Sequence, residues 1–150
     1  LAGFEAASGG GKVLQVVSTT ITATDLTTTS ASLVDISGYT ADITPAATSS
    51  KILCLVNMFM GSSYQHHRAA SLLRETTVIG NISYYVGGND LHSHLASQSL
   101  TILDSPSADS EITYKMQWIA YVSGTRYLNN NSSDSFTAVP STITLIEIGA

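Results

Sequence analysis

Charged residues are few in this 150-residue sequence, cysteine occurs once, and no long apolar run is present. The single Cys54 excludes an intrachain disulfide framework and a cysteine-rich zinc site. The six Lys and Arg residues are scattered, so we expect no nucleic-acid groove, which needs clustered cations. Since no apolar run approaches the roughly 18 residues of a membrane span, we expect no membrane insertion.

The residues that are abundant favour β-structure. Hydrophobic residues make up 43% of the chain, which is too many for a disordered protein. Thr, Val, Ile and Tyr suit a pleated, half-buried surface, and the polar positions are mostly Ser and Thr rather than ionic. Residues 1–11 end in a Ser-Gly-Gly-Gly run, which predicts a flexible arm or linker before a single domain over residues 12–150.

Apolar and polar residues alternate in several segments of the chain. The clearest period-two patterns cover residues 112–121 and 141–148, and each predicts a strand. Residues 51–60 are apolar at both sets of alternate positions, which indicates a central strand or one pressed against a neighbouring subunit. We interpret Cys54, inside this run, as a small buried hydrophobe.

Short breakers separate the predicted strands. We predict turns at residues 37–38, 80–81 and 123–124, the last joining a hairpin, and another hairpin turn near Glu75 and Thr76. Residues 69–75 fit a strand or one to two turns of helix. About eight to ten short strands without a convincing amphipathic helix predict an all-β fold, an antiparallel β-sandwich or barrel.

Sequence signatures of catalysis are missing. The chain has no G-x-S-x-G elbow, and its glycine run before Lys12 lacks the spacing of a phosphate loop. Most carboxylates fall in predicted turns, which disfavours a pair facing one cleft. We therefore expect no enzymatic activity and no bound cofactor.

Histidines offer one candidate metal site. His92 and His94 form an H-x-H, and alternate positions of a strand share one face. Three copies of this pair around a three-fold axis would supply six ligands for iron or zinc. The simpler alternative is two ordinary imidazoles in a loop.

Aromatic and histidine residues near loops are candidates for contact with a receptor or partner. A saccharide stacks on exposed aromatic rings, and the alternative for a strand tyrosine is a place in the core. The candidate loops are residues 61–67, 87–94 and 129–136. The candidate contact residues are Tyr64, His66, His67, Tyr84 and Tyr85.

The order of segments resembles a C-terminal domain common in bacteriophage tail-fibre-like virion proteins. The matching segments cover nearly the whole chain after the glycine run, and their order and spacing carry the resemblance. They are residues 11–17, 32–36, 43–45, 48–53, 73–75, 113–118 and 141–148.

This resemblance implies a virion surface protein, a homotrimer of β-sandwich or jelly-roll knobs that contacts host-surface glycan or protein. Some fibre tips of such proteins hold iron through H-x-H motifs, and His92 and His94 are the local match. The alternative function is a capsid decoration, or cement, protein whose N-terminal arm binds the shell and other virion proteins. A polysaccharide-degrading tailspike domain is a third and weaker alternative, because no cluster of acids stands out.

Overall fold

The computed structural model describes residues 11–63, 68–84, 94–120, 124–130 and 139–149. These residues form ten strands and no helix, which confirms the all-β prediction. The strands are β1 (Val13–Ile21), β2 (Thr27–Thr28), β3 (Val34–Ile43), β4 (Lys51–Ser62), β5 (Arg68–Arg74), β6 (Thr77–Tyr84), β7 (His94–Asp104), β8 (Ile112–Ile119), β9 (Arg126–Leu128) and β10 (Ser141–Ile148).

All strand pairs are antiparallel, and they make two sheets. Sheet A contains β1, β10, β4 and β7 in that spatial order, with β10 and the short β9 pairing with successive parts of β4. The two-residue β2 extends β9. Sheet B has the order β3-β8-β5-β6. One hydrophobic core draws residues from both sheets, as in a β-sandwich.

Strict alternation places the core side chains. Buried and half-buried residues alternate without exception along β8 and β10, as their period-two sequences predict. Strand β4 is central in sheet A, and its inward residues, including Cys54, are buried. Burial raises the pKa of the Cys54 thiol to about 12, so the predicted role of a small buried hydrophobe is confirmed.

The turn predicted at residues 37–38 is wrong, because these residues form a bulge inside β3. The pairing moves from Asp35 opposite Gln117 to Thr40 opposite Lys115, so β3 carries extra residues at this point. Gly38 has a φ of 73°, in the left-handed region that glycine tolerates best. The bulge leaves residues 37 and 38 exposed and turns both flanking side chains, Ile36 and Tyr39, into the core.

The other predicted turns had mixed outcomes. The hairpin turn at Glu75 and Thr76 is confirmed, and residues 69–74 are strand rather than helix. Residues 80–81 lie inside β6, where a Cβ at Gly80 would come within 2.9 Å of a Leu100 methyl, so glycine lets β6 lie close to β7. The predicted hairpin around residues 123–124 is wrong, because β8 belongs to sheet B while β9 pairs with β4 and β2 in sheet A.

Tyr39 makes the first of two polar contacts that join the sheets through the interior. The Tyr39 hydroxyl of β3 donates to the Asn57 and Thr142 carbonyl oxygens of sheet A, at 2.9 and 3.2 Å. Burial raises the pKa of Tyr39, so this hydroxyl keeps its proton.

Asp104 makes the second contact. Its carboxylate on β7 accepts from Arg74 Nη1 at 2.8 Å and from the Tyr114 hydroxyl at 2.7 Å, both in sheet B. Burial and the hydrogen bond to Asp104 raise the pKa of Tyr114, so its hydroxyl remains a donor. We call Arg74, Asp104 and Tyr114 the inter-sheet triad.

Glu147 is a buried carboxylate at the end of β10. It accepts hydrogen bonds from the Ala46 amide and the Gln15 side chain, both at 2.7 Å, and Gln15 also donates to the Thr44 carbonyl. Burial raises the pKa of Glu147, but hydrogen bonds to the carboxylate, among them those from Gln15 and Ala46, outweigh it and hold the pKa below its ordinary 4.5. Glu147 thereby attaches the loop after β3 to sheet A.

Glu147→Gln is expected to destabilise the protein near neutral pH, by an amount that shrinks in acid. A carboxyl with a lowered folded-state pKa stabilises above its unfolded pKa, and this contribution is lost as pH falls through the folded-state value. The difference in melting temperature between wild type and variant should therefore decrease below about pH 4.5. The control Asp109→Asn makes the same charge change at an exposed position. A difference that stays constant down to pH 3 would contradict the role of Glu147.

Candidate interaction surfaces

One end of the sandwich carries the segments that the sequence singled out for contact. Strand β4 of sheet A ends at Ser62, and β5 of sheet B begins at Arg68; β6 of sheet B ends at Tyr84, and β7 of sheet A begins at His94. Arg68 pairs with Tyr84 and Ser62 pairs with His94. The connections 63–67 and 85–93 therefore each join a strand of one sheet to a strand of the other. They start from β4 and β6 and end at β5 and β7, and β4 pairs with β7 as β5 pairs with β6.

The candidate contact residues belong to these connections or to the strand ends beside them. Tyr64, His66, His67, Tyr85 and His92 lie outside the described residues. Tyr84 and His94 hold the register positions just given, and their side chains are not described. Their proposed contacts with a receptor or a metal stay predictions.

One candidate loop begins later than predicted, and another begins with a buried residue. Gly61 and Ser62 belong to β4 and are buried, because β9 and β7 pair with this part of the strand on its two edges. Asn129, expected at the start of an exposed loop, is 1% exposed and bonded to the strands around it. In the candidate loop at residues 87–94, the last residue, His94, is already the first residue of strand β7.

Buried polar residues underlie this end of the sandwich. Arg126 on β9 pairs with Ser62 on one side and Thr28 on the other, and all three are buried. Arg126 Nη1 donates to Ser62 Oγ at 2.7 Å, and burial lowers the pKa of the guanidinium. The sequence contains no signal for this arrangement, since Arg126 follows a turn and has no charged neighbour in sequence.

The outer face of sheet A is a second candidate surface, and it changes in polarity along its strands. The strand register places one row of four apolar side chains across β1, β10, β4 and β7, which we call the apolar row. It consists of Val16, Ile146, Leu53 and Leu103. Its two end residues, Val16 and Leu103, are 57% and 52% exposed. The two residues between them, Ile146 and Leu53, are half-buried. An apolar row with exposed ends on the outer face of a sheet is a candidate interaction site.

On one side of the apolar row, the neighbouring rows are rich in hydroxyl groups. Ser18 and Thr144 side chains hydrogen-bond across β1 and β10 at 2.8 Å. Ser97 Oγ donates to Asn57 Oδ1 at 3.2 Å across β7 and β4. Lys51 is the one charged side chain that the described residues of these four strands place on this face. The face therefore runs from apolar to hydroxyl-bearing with almost no charge.

The outer face of sheet B has a different character. Asp35 accepts from Gln117 at 2.6 Å and from Lys115 at 3.0 Å, and both contacts lower the pKa of the Asp35 carboxyl. Asp42 accepts from the Thr113 hydroxyl at 2.6 Å. These exposed charged networks are typical of a solvated face, so the two outer faces of the sandwich are chemically distinct.

No family model and no curated protein matches this chain.

The described part of the chain contains no group of three or more His, Cys, Asp and Glu side chains placed to hold a metal ion. The predicted site at His92 and His94 falls largely outside that part. No helix within the described ranges is long and apolar enough to span a membrane.

Proposed function

We propose that this chain is a jelly-roll structural protein of a bacteriophage virion, a fibre- or tip-type domain that assembles as a homotrimer. The observation that carries the proposal is the order in which the strands pair. On this proposal the protein has no enzymatic activity, lies on the virion surface and binds other virion proteins through its N-terminal segment.

The pairing of the eight long strands supports the jelly roll. The first pairs with the last, β1 with β10, and the next pairs inward are β3 with β8, β4 with β7 and β5 with β6. A long hairpin rolled into two four-stranded sheets has this pairing, and viral capsid proteins are among the proteins built this way. Together with the resemblance to tail-fibre-like proteins, this order favours a virion role.

The distribution of surfaces supports assembly and attachment as the two activities of the domain. The outer face of sheet A, which carries almost no charge, suits contact with another protein subunit. The connections 63–67 and 85–93 leave one end of the sandwich and carry Tyr64, Tyr85 and three of the four histidines. In a trimer these ends are presented three times, so weak contacts with host-surface glycan add up to useful avidity.

The first test is the mass of the purified domain in sedimentation equilibrium. We expect three times the 15.8 kDa of one chain. The resemblance implies three copies, and the nearly uncharged face favours self-assembly over an isolated subunit. A species at 15.8 kDa at every concentration would contradict self-assembly. Copy number per virion, from quantitative mass spectrometry, separates the two virion roles. A few tens of copies or fewer support the fibre or tip role, and hundreds would replace it with capsid decoration.

A further inference from the structure

We propose that the outer face of sheet A binds a second copy of this chain, with the Val16 end of one apolar row against the Leu103 end of the next. This inference rests on the proposed self-assembly and names the surface that carries it. The evidence is the charge of the face, its change in polarity along the strands, and the exposure of the two ends of the row.

The charge of the face selects the class of partner. The chain has a net charge of −5, yet the described strands place only Lys51 on this face. A nucleic acid or an acidic peptide would require clustered cations here, and a basic peptide would require carboxylates. A surface of apolar and hydroxyl side chains is matched by another of the same composition, and the same face of a second copy is such a surface.

The change in polarity along the strands sets the relative orientation of the copies. Apolar side chains meet apolar ones, and hydroxyl groups meet hydroxyl groups, only if corresponding rows of the two faces lie at the same position along the strand direction. A rotation axis parallel to the strands preserves that alignment for every row. A two-fold axis perpendicular to the strands reverses the order of the rows, so it would place the hydroxyl-bearing end of one face against the Lys51 end of the other. A three-fold axis parallel to the strands is therefore compatible with the face, and the resulting contacts are heterologous.

The exposure of the row agrees with contact at its two ends. Strands in a sheet are about 4.8 Å apart, so Val16 and Leu103 are separated by roughly 14 Å. Both are more than half exposed, while Leu53 and Ile146 between them are half-buried by their neighbours. In a cyclic assembly each copy contacts two neighbours. The side chains at the two ends of the row, Val16 and Leu103, are the ones that reach these neighbours.

The matched test compares Leu103→Asp with Val78→Asp. Val78 is 45% exposed on β6 of sheet B, opposite Leu73, so the control adds the same charge at an equally exposed apolar position outside the proposed contact. We expect Leu103→Asp to abolish assembly in sedimentation, because each interface would bury an unpaired carboxylate, while Val78→Asp assembles like wild type. If wild type and Leu103→Asp both assemble normally, the proposed contact surface is wrong, while the proposed self-assembly stands. A monomeric wild type would overturn the proposed self-assembly as well.

Disulfide trapping is the second test. The double variant Val16→Cys with Leu103→Cys is expected to form disulfides between subunits on mild oxidation, and neither single variant should. Native Cys54 does not interfere, because it is fully buried. A disulfide requires Cα atoms closer than about 7 Å, so the result reports direct contact of the two row ends. An assembled double variant without cross-links would contradict the proposed contact.

Discussion

Asp104→Ala is expected to lower the free energy of unfolding by about 3 kcal/mol, because it removes the acceptor shared by the inter-sheet triad. The guanidinium of Arg74 and the hydroxyl of Tyr114 would each lose an ionic or hydrogen-bonded partner between the sheets. Breaking a well-buried ion pair costs about 3–5 kcal/mol, and the Arg74 side chain is 26% exposed, which places the estimate at the low end. Urea denaturation of the purified protein would measure the change.

Asp35→Ala is the matched control for this prediction. Asp35 also pairs with a cation, Lys115, at 3.0 Å, but its side chain is 55% exposed, against 11% for Asp104. Exposed ion pairs contribute about 0–1 kcal/mol, so the control should change stability little. If the two variants lose the same stability, burial of the Asp104 pair has no role in holding the sheets together.

Asn129→Ala is expected to lower the free energy of unfolding by about 3 kcal/mol. The Asn129 carboxamide donates to the Ile21 and Ala23 carbonyl oxygens, at 2.7 and 3.1 Å, and accepts from the Ser141 hydroxyl. Its backbone amide donates to the Phe59 carbonyl, so the residue joins β1, β4, β9 and β10. Alanine would leave buried polar groups without partners and would also occupy a left-handed conformation, since Asn129 has a φ of 57°.

Asn129→Gly separates the two causes. Glycine removes the same side-chain hydrogen bonds but tolerates the positive φ, so this variant should be more stable than Asn129→Ala by about 1 kcal/mol. Both variants can be compared by chemical denaturation under the same conditions. Equal stability of the two would attribute the whole effect to hydrogen bonding, and an alanine variant as stable as wild type would contradict the role of the carboxamide.

Local periodicity was enough to predict the fold class and most of the strands. Residues 112–121 and 141–148 alternate apolar and polar residues, and that period matches the two faces of a strand whatever the strand pairs with. The predictions that failed concern breakers. Gly38 and Gly80 both lie inside strands, Gly38 at a bulge and Gly80 where the two sheets approach closely. The residues around a glycine at either kind of position look the same in sequence as the residues around a glycine in a turn.

The candidate surfaces were predicted only in part. The doubly apolar pattern of residues 51–60 indicated either a central strand or a strand against a neighbouring subunit, and β4 is central, with half-buried Leu53 and Leu55 on its outer face. The apolar row itself could not be read from the sequence. Val16, Leu53, Leu103 and Ile146 lie far apart in the chain and come together only through the registers of three strand pairs.

The sequence by itself determined that this protein is all-β, that Cys54 is buried, and which side chains of β8 face inward. Each of these follows from composition and from the period of a strand, which are local properties. Only the tertiary structure decided which strands are neighbours, and with them the inter-sheet triad, the buried Arg126 and Asn129, and the difference between the two outer faces. These features depend on pairings between residues as much as 135 positions apart, such as Val13 with Ile148. Register and topology are set by the packing of the whole core, so no short stretch of sequence contains them.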